Sequence, residues 1–395
     1  MSENSPKRRI LIFSTAYHPF VGGAEVAVKE ITDRLGNDFE FDLITAKMQK
    51  GLPDVEKIGS VTVYRIGGGK STTDKLLLPF LGAIKVWKLQ KTRNYFCFWS
   101  VMVTFAGGAA YLYNIFRTLT FQKKIPMILN LQEGDSENHL NYRWAGLLDL
   151  SWRLALWQTD IVTGLSNFLI DRAKKKGYKG PSFLIPNGVD LSIFTKEISE
   201  EEKIATQNLL SKKEGDIFLV TVSRLVYKNA NDDVISALVS LPKNVYFIII
   251  GKGDLGLELQ KQAVDLGVED RVKFLGLVPN TDLARYLSVC DIFIRPSRSE
   301  GFGISFVEAM AAGLPVIATP VGGIPDFLDD KETGIFCSPD NPQSIVKAVN
   351  EILSDKELRD KIIFQAKDRV VAKYGWDHIA VKMKGLVFDK LLKYV

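Results

Sequence analysis

The chain has 395 residues, 46% of them hydrophobic and 25% charged. At roughly 150 residues per domain this describes two or three well-cored domains, and it excludes disordered, collagen-like and low-complexity classes. With 51 basic against 46 acidic residues, the net charge of +5 is too mild to mark a nucleic-acid binder, though it suits an anionic substrate or an anionic membrane surface.

Lys7-Arg8-Arg9 before Ile10–Phe13 imitates a secretory leader, but the apolar run stops at Ser14 and reads better as a buried first strand. Strand Ile10–Thr15 is followed by a helix over Ala24–Leu35, closed by Gly36-Asn37. Further strands are expected at Phe39–Thr45, Val61–Ile66, Tyr95–Trp99, Met127–Leu131, Ile161–Gly164 and Ser182–Ile185. Asn94 to Phe116 carries no charge and is long enough to span a bilayer. It divides more naturally into a strand and a buried helix, about Met102–Leu119. The charged stretch Lys196–Lys203 reads as a domain junction. A second run places strands at Phe218–Ser223, Val245–Ile250, Val272–Leu275, Ile292–Arg295 and Val316–Thr319, with helices between them. Alternation of this kind gives parallel sheets, so the expectation is α/β: two Rossmann-like domains with a cleft between them and ligands beyond the carboxyl ends of strands.

Three cysteines (Cys97, Cys290, Cys337) and three histidines (His18, His139, His378) are scattered, which indicates no disulfide framework or zinc site and fits a reducing cytoplasm. Two glycine motifs are decoys. Gly69-Lys70-Ser71 ends like a P-loop, but Tyr64 stands where its first glycine belongs, and a flexible loop is expected. Gly251-Lys252-Gly253-Asp254-Leu255-Gly256 follows a strand, yet no acid ends the next strand, Val272–Leu275, to hold a ribose.

The most informative segment runs from Pro296 to Glu308. It follows an apolar strand and contains Gly301-Phe302-Gly303, with a helix starting near Ile304. Backbone N–H groups of Gly301 to Ser305 at a helix N-terminus favour a phosphate. Glu308, one turn into that helix, suits a ribose diol, and Glu300 reaches a second hydroxylated group. Arg224 and Lys228 lie beyond the carboxyl end of the strand Phe218–Ser223, where two cations would suit an anionic group.

Glu300 and Glu308 form an E-x7-E pattern that resembles the retaining nucleotide-sugar glycosyltransferases with the GT-B fold, glycosyltransferase family 4. Ser223-Arg224-Leu225-Val226-Tyr227-Lys228-Asn229 is similar to that family's cationic loop, with Asn229 where glycine is usual. Pro186-Asn187-Gly188-Val189-Asp190, Gly22-Gly23-Ala24-Glu25 and Tyr374-Gly375-Trp376 also fit. The resemblance implies an acceptor-binding domain over 1–193, a nucleotide-sugar domain over 194–374, and a terminal helix, 375–395, returning to the first domain. Its catalytic residues would be Arg224, Lys228 and Glu300. Its donor contacts would be Gly22, Gly23, Gly251, Val278, Gly301, Phe302, Gly303, Ile304, Ser305 and Glu308. Asn187 would serve sugar or acceptor. Where many members have a histidine near the reacting sugar, this chain has Gln132-Glu133; Gln132 would bind the donor sugar, and Glu133 or Asp135 acceptor hydroxyls.

The implied activity is transfer of a sugar from a UDP- or GDP-linked donor to a glycan, glycolipid or other hydroxyl, with no cofactor, no metal and no nucleic-acid partner. A 2-epimerase on the same fold and a non-catalytic nucleotide-sugar-binding protein are the alternatives. Leu76–Leu81 followed by Lys85, Lys88, Lys91 and Arg93 reads either as a core helix or as a peripheral contact with an anionic membrane at the cytoplasmic face.

Overall fold

Continuous apolar runs, rather than alternating ones, are what strands carry when both faces of their sheet are covered. In the computed structural model, which describes residues 7–132 and 147–393, those runs form two sheets. The chain divides into two compact units, Met1–Asn187 with Trp376–Val395, and Gly188–Gly375.

The first unit holds β1 (Arg8–Phe13), β2 (Phe39–Ala46), β3 (Val55–Ile58), β4 (Val61–Ile66), β5 (Tyr95–Val101), β6 (Met127–Leu131), β7 (Ile161–Gly164) and β8 (Ser182–Leu184). Their order is β3-β4-β2-β1-β5-β6-β7-β8. Among these strands β3 and β4 alone pair antiparallel. The chain moves outward from β1 through β2 to β4, then returns to the other side of β1 as β5. Strand order therefore reverses between β1 and β5, where an open α/β sheet offers its ligand crevice. Ile10, Leu11, Ile12 and Phe13 are wholly buried, as a central strand requires.

The C-terminal segment belongs to this unit. Phe388 inserts among Phe39, Phe41 and Trp99, with ring centres 5.3, 6.5 and 5.6 Å away. Full burial of such a ring stabilises by about 1.5–3 kcal/mol. Ion pairs Arg34–Asp377 (2.5 Å) and Arg8–Asp389 (2.7 Å) flank it. Both pairs are open to solvent and add little.

The second unit holds β9 (Ile217–Val222), β10 (Val245–Ile250), β11 (Val272–Gly276), β12 (Ile292–Arg295), β13 (Val316–Ala318) and β14 (Ile335–Phe336). The order is β11-β10-β9-β12-β13-β14, parallel throughout. Here the reversal falls between β9 and β12, with Leu219 opposite Ile292 and Val220 opposite Phe293. The charged stretch expected as a junction is not one. It leads into a helix, Glu200–Leu209, inside this unit, begun by a capping box of Ser199 and Glu202.

Asn94 to Phe116 supplies β5 and part of the helix Ala106–Leu119, and no helix among the described residues is long and apolar enough to cross a membrane. The P-loop-like segment is an ordered turn. The buried carboxylate of Asp74 accepts from the backbone N–H groups of Met48 (3.2 Å), Gly68 (3.0 Å), Gly69 (2.8 Å) and Lys70 (3.0 Å). The place where an anion would sit is filled by the chain's own acid. Asp74→Ala leaves these donors without their acceptor and is expected to cost about 2–3 kcal/mol. A lowered unfolding midpoint of the first unit checks this; an unchanged midpoint would mean that water replaces the carboxylate at no cost.

Candidate functional site

Reversal of strand order sets two loops side by side in the second unit. The loop after β9 carries Arg224 and Lys228, and the loop after β12 carries Glu300 and the turn into the helix Ile304–Ala311. Arg224 is exposed, while Lys228, Glu300 and Glu308 are partly buried. The loops are joined by the Arg298 N–H, which donates to the Lys228 carbonyl (2.8 Å), and the strand ends beneath them by Arg295 Nη1, which reaches the Val222 carbonyl at 3.4 Å.

Arg295 is a residue of this site that the sequence alone did not single out. It ends β12 and is buried beneath the turn. Its Nη2 donates to Glu300 Oε2 (2.6 Å) and its Nη1 to Ser305 Oγ (2.9 Å), while its guanidinium lies 4.2 Å from the centre of the Phe306 ring. Glu300 Oε1 accepts from the Gly301 N–H (2.9 Å), so both oxygens of the carboxylate are held. The available signal was a cation closing an otherwise apolar strand beside two acids.

Gly303 adopts φ +88, and a Cβ there would lie 2.5 Å from Phe306 and 2.8 Å from Arg295 Nη2, so only glycine fits. Phe302, expected at the donor, turns its ring into the core against Phe327 (5.3 Å) and Tyr374 (5.8 Å). That leaves its backbone, not its ring, for a ligand. Ser305 is likewise buried, with its hydroxyl already accepting from Arg295. Behind the turn the Gly323 N–H donates to the Glu300 carbonyl (3.1 Å), fixing the backbone that carries the acid.

The glycine motif after β10 has a structural use. Gly251 at φ +141 presses on the loop after β9, where a Cβ would collide with the Ser223 carbonyl oxygen. The Leu225 N–H donates to the Lys252 carbonyl (3.1 Å), and the Gly251 N–H donates to the Gly276 carbonyl (2.7 Å) just before Val278. The expected contacts Gly251 and Val278 therefore stand on loops locked to one another and to Arg224.

The remaining expected residues lie in the first unit. Gly22 and Gly23 open the helix Gly23–Leu35 after β1, and the Gly22 N–H is taken by Glu25 Oε2 at 2.8 Å. Asn187 lies beside Gly23, its Nδ2 3.6 Å from where a Cβ would be. Gln132 follows β6, donating to Asn130 Oδ1 (2.7 Å), and Asn130 donates to Thr163 (2.9 Å). Glu133 and Asp135 fall outside the described residues.

Residues 202–369 match the family described as Glycosyl transferases group 1. A GDP-mannose-dependent alpha-(1-6)-phosphatidylinositol monomannoside mannosyltransferase of Mycobacterium tuberculosis is 31% identical over 236 residues, 57% of this chain and 60% of that one. The chain spans about half to three fifths of the length of the curated relatives it matches first. Sucrose-phosphate synthase from Thermosynechococcus elongatus superposes with a TM-score of 0.81 at 21% identity, covering 98% of this chain and 100% of that one. Anabaena HepE in complex with UDP and glucose gives 0.76 at 20%, covering 97% and 100%. These likenesses give the fold: GT-B, with two parallel-sheet domains.

Burial pushes the Glu308 carboxyl up to about 7, against a smaller opposing pull from the Arg295 charge. A carboxyl raised in the folded state keeps its proton longer there than in the unfolded chain. Its stabilising share is complete below the ordinary value of 4.5 and is lost as pH rises through about 7. Glu308→Gln, which stays neutral, is expected to match the parent near pH 4.5 and exceed its Tm at pH 8 by a few degrees, at about 2–4 °C per kcal/mol. Melting curves at the two pH values check this; an equal offset at both would detach Glu308 from the pH dependence.

Proposed function

We propose that this protein is a retaining, metal-independent glycosyltransferase of family 4, a hexosyltransferase. It moves a sugar from a UDP- or GDP-linked donor to a hydroxyl of a glycan or glycolipid. The observation that carries the reading is the adjacency of the two loops at the β9–β12 reversal, one bearing Arg224 and Lys228, the other bearing Glu300 and leading into the helix that carries Glu308. As the bond between the anomeric carbon and the phosphate oxygen breaks, negative charge grows on the diphosphate. Fixed cations stabilise that change more than they stabilise the bound donor. Glu308 accepts from the nucleoside ribose, and Glu300, held by Arg295, faces the sugar. The match of residues 202–369 to glycosyl transferases supports the class, and a relative that uses GDP-mannose and a neighbour that binds UDP support the donor type.

A donor panel tests this reading. Release of nucleoside diphosphate from UDP-glucose, UDP-N-acetylglucosamine and GDP-mannose is measured with and without EDTA. Turnover of at least one donor, unchanged by EDTA, is expected; silence on all three, or activity that magnesium restores after EDTA, would refute it. Lys228→Ala and Arg224→Ala should each lower kcat by roughly 10²-fold. Glu308→Ala should weaken UDP or GDP binding by about tenfold to a hundredfold, while Glu300→Ala spares the nucleotide and damages sugar transfer.

In the same reading the protein works in the cytoplasm, which its three free buried cysteines suit, as a peripheral protein on an anionic membrane. The helix Ser71–Gln90 buries Leu78, Val86 and Leu89, yet Leu77, Phe80, Ile84 and Trp87 on its outer side are exposed as well. Phe116 and Leu119 are exposed on the neighbouring helix, and Phe121 is 100% exposed. From Lys75 to Pro126 the chain has eight Lys and Arg and no Asp or Glu. An apolar face within an acid-free basic segment fits the interface of an anionic bilayer. Flotation with phosphatidylcholine vesicles, with and without phosphatidylglycerol, checks it. Binding should require phosphatidylglycerol, weaken with salt, and fall roughly tenfold in Phe80→Ser/Trp87→Ser. Equal recovery with both vesicle types would sink the proposal.

A further inference from the structure

We infer that Arg298 is a positioning residue that sets the Arg224–Lys228 loop for catalysis. The inference rests on the proposed role of Lys228 at the departing diphosphate. Arg298 stands two residues before Glu300 and reaches across to the other loop. Its backbone N–H donates to the Lys228 carbonyl (2.8 Å), its Nη1 donates to the Tyr227 carbonyl (2.8 Å), and its guanidinium lies 4.3 Å from the centre of the Tyr227 ring. The residue thus holds both peptide units that orient Lys228.

The rest of the fork is anchored elsewhere. Nη1 and Nη2 each donate to Asp232 at 2.9 Å, Nη2 approaches Asp233 at 3.1 Å, and Nε donates to Asp340 at 2.5 Å. Asp232 and Asp233 sit in the first turn of the helix Asn231–Leu238, which begins where the Lys228 loop ends. One guanidinium, 11% exposed, therefore ties the loop to the helix after it and to the strand end that carries Glu300. A lysine ammonium has no planar fork to serve a bidentate carboxylate and a carbonyl at once.

The loop needs such a tether. Ala230 sits in the left-handed region at φ 53, ψ 38, a conformation costly for a residue with a Cβ. A strained backbone persists only where its surroundings over-determine it. Asn229 supplies one constraint, its Nδ2 donating to the Arg224 carbonyl at 2.6 Å. Arg298 supplies another, from outside the loop, at the Tyr227 and Lys228 carbonyls. Asn229, in a place where the resemblance expects glycine, is thus part of a loop held by side chains rather than by backbone freedom.

A double-mutant cycle tests the inference, read on the panel donor turned over fastest. Arg298→Met leaves three carboxylates unbalanced and endangers the fold. Arg298→Lys, which keeps the charge and loses the fork, is therefore measured beside it, with Tm and with Kd for UDP and GDP. Arg298→Lys is expected to lower kcat roughly tenfold and to change KM and nucleotide Kd less than about threefold. In a Lys228→Ala background the same change should cost less than about twofold, because residues acting through one another are not additive. The full factor in both backgrounds would overturn the inference, as would near-parent kcat in both Arg298 variants. If Lys228→Ala itself keeps parent kcat, the role of Lys228 fails first, which separates that failure from one of the clamp alone.

Discussion

Arg295 brings a positive charge into the end of an apolar sheet, with 6% of its side chain exposed. A charge so placed must be balanced and hydrogen-bonded by the chain around it. Glu300 gives the opposite charge, Ser305 and Val222 give acceptors, and Phe306 gives the face of a ring. These partners come from the end of β9, the turn and the first turn of the following helix. Meeting them fixes where that helix starts, why Gly303 has no side chain, and which way Glu300 points. Losing the arginine would leave a partly buried carboxylate without its cation, a change that typically costs about 3–5 kcal/mol.

A second arginine performs a parallel task three residues later. Arg295 takes Glu300, and Arg298 takes Asp232, Asp233 and Asp340. Burial raises the Asp233 carboxyl, with the Arg298 charge opposing it and Asp232 and Asp340 adding to it. Glu300, Asp232, Asp233 and Asp340 are thus committed to cations internal to the unit. Were they not, they would compete with any diphosphate for Arg224, which is exposed at the rim. Preorganised charge is effective only if it does not collapse onto neighbours before the ligand arrives.

The fold was largely legible because two-sided burial writes itself as unbroken apolar runs. Ile10–Phe13 in β1 and Phe247–Ile250 in β10 are such runs, and both are buried in their sheets. The strands that escaped notice are short or half-exposed. Val55–Ile58 alternates exposed and partly buried residues in a hairpin, and Ile335–Phe336 is too brief for any period. Lys196–Lys203 misled because a charged helix start spells like a linker. That Arg224, Lys228 and Glu300 stand beyond strand ends, with Glu308 on the helix after the turn, was legible because each loop follows an apolar run. The tethers were not, since Arg298 to Asp232 and Arg295 to Val222 join segments far apart in sequence.

Glycine loops before helices show why spelling alone is a poor guide to anion binding, and which neighbouring residue repairs it. Gly22-Gly23 leads into a helix whose third residue is Glu25, and Glu25 folds back onto the Gly22 N–H. Gly68-Gly69 leads into one whose fourth residue is Asp74, and Asp74 gathers the N–H groups before it. Each helix start accepts an acid from its own chain, as a capping box does. At the Ile304–Ala311 helix the cap is Gly303, with no side chain, and the third residue is Phe306, fully buried in the core. Neither residue can accept a hydrogen bond through its side chain, so self-capping of that kind is closed to this helix. Since the first N–H groups of any helix need an acceptor from outside its own ladder, the acid or its absence at the third and fourth positions separates a loop that has closed on itself from one shaped to receive an anion.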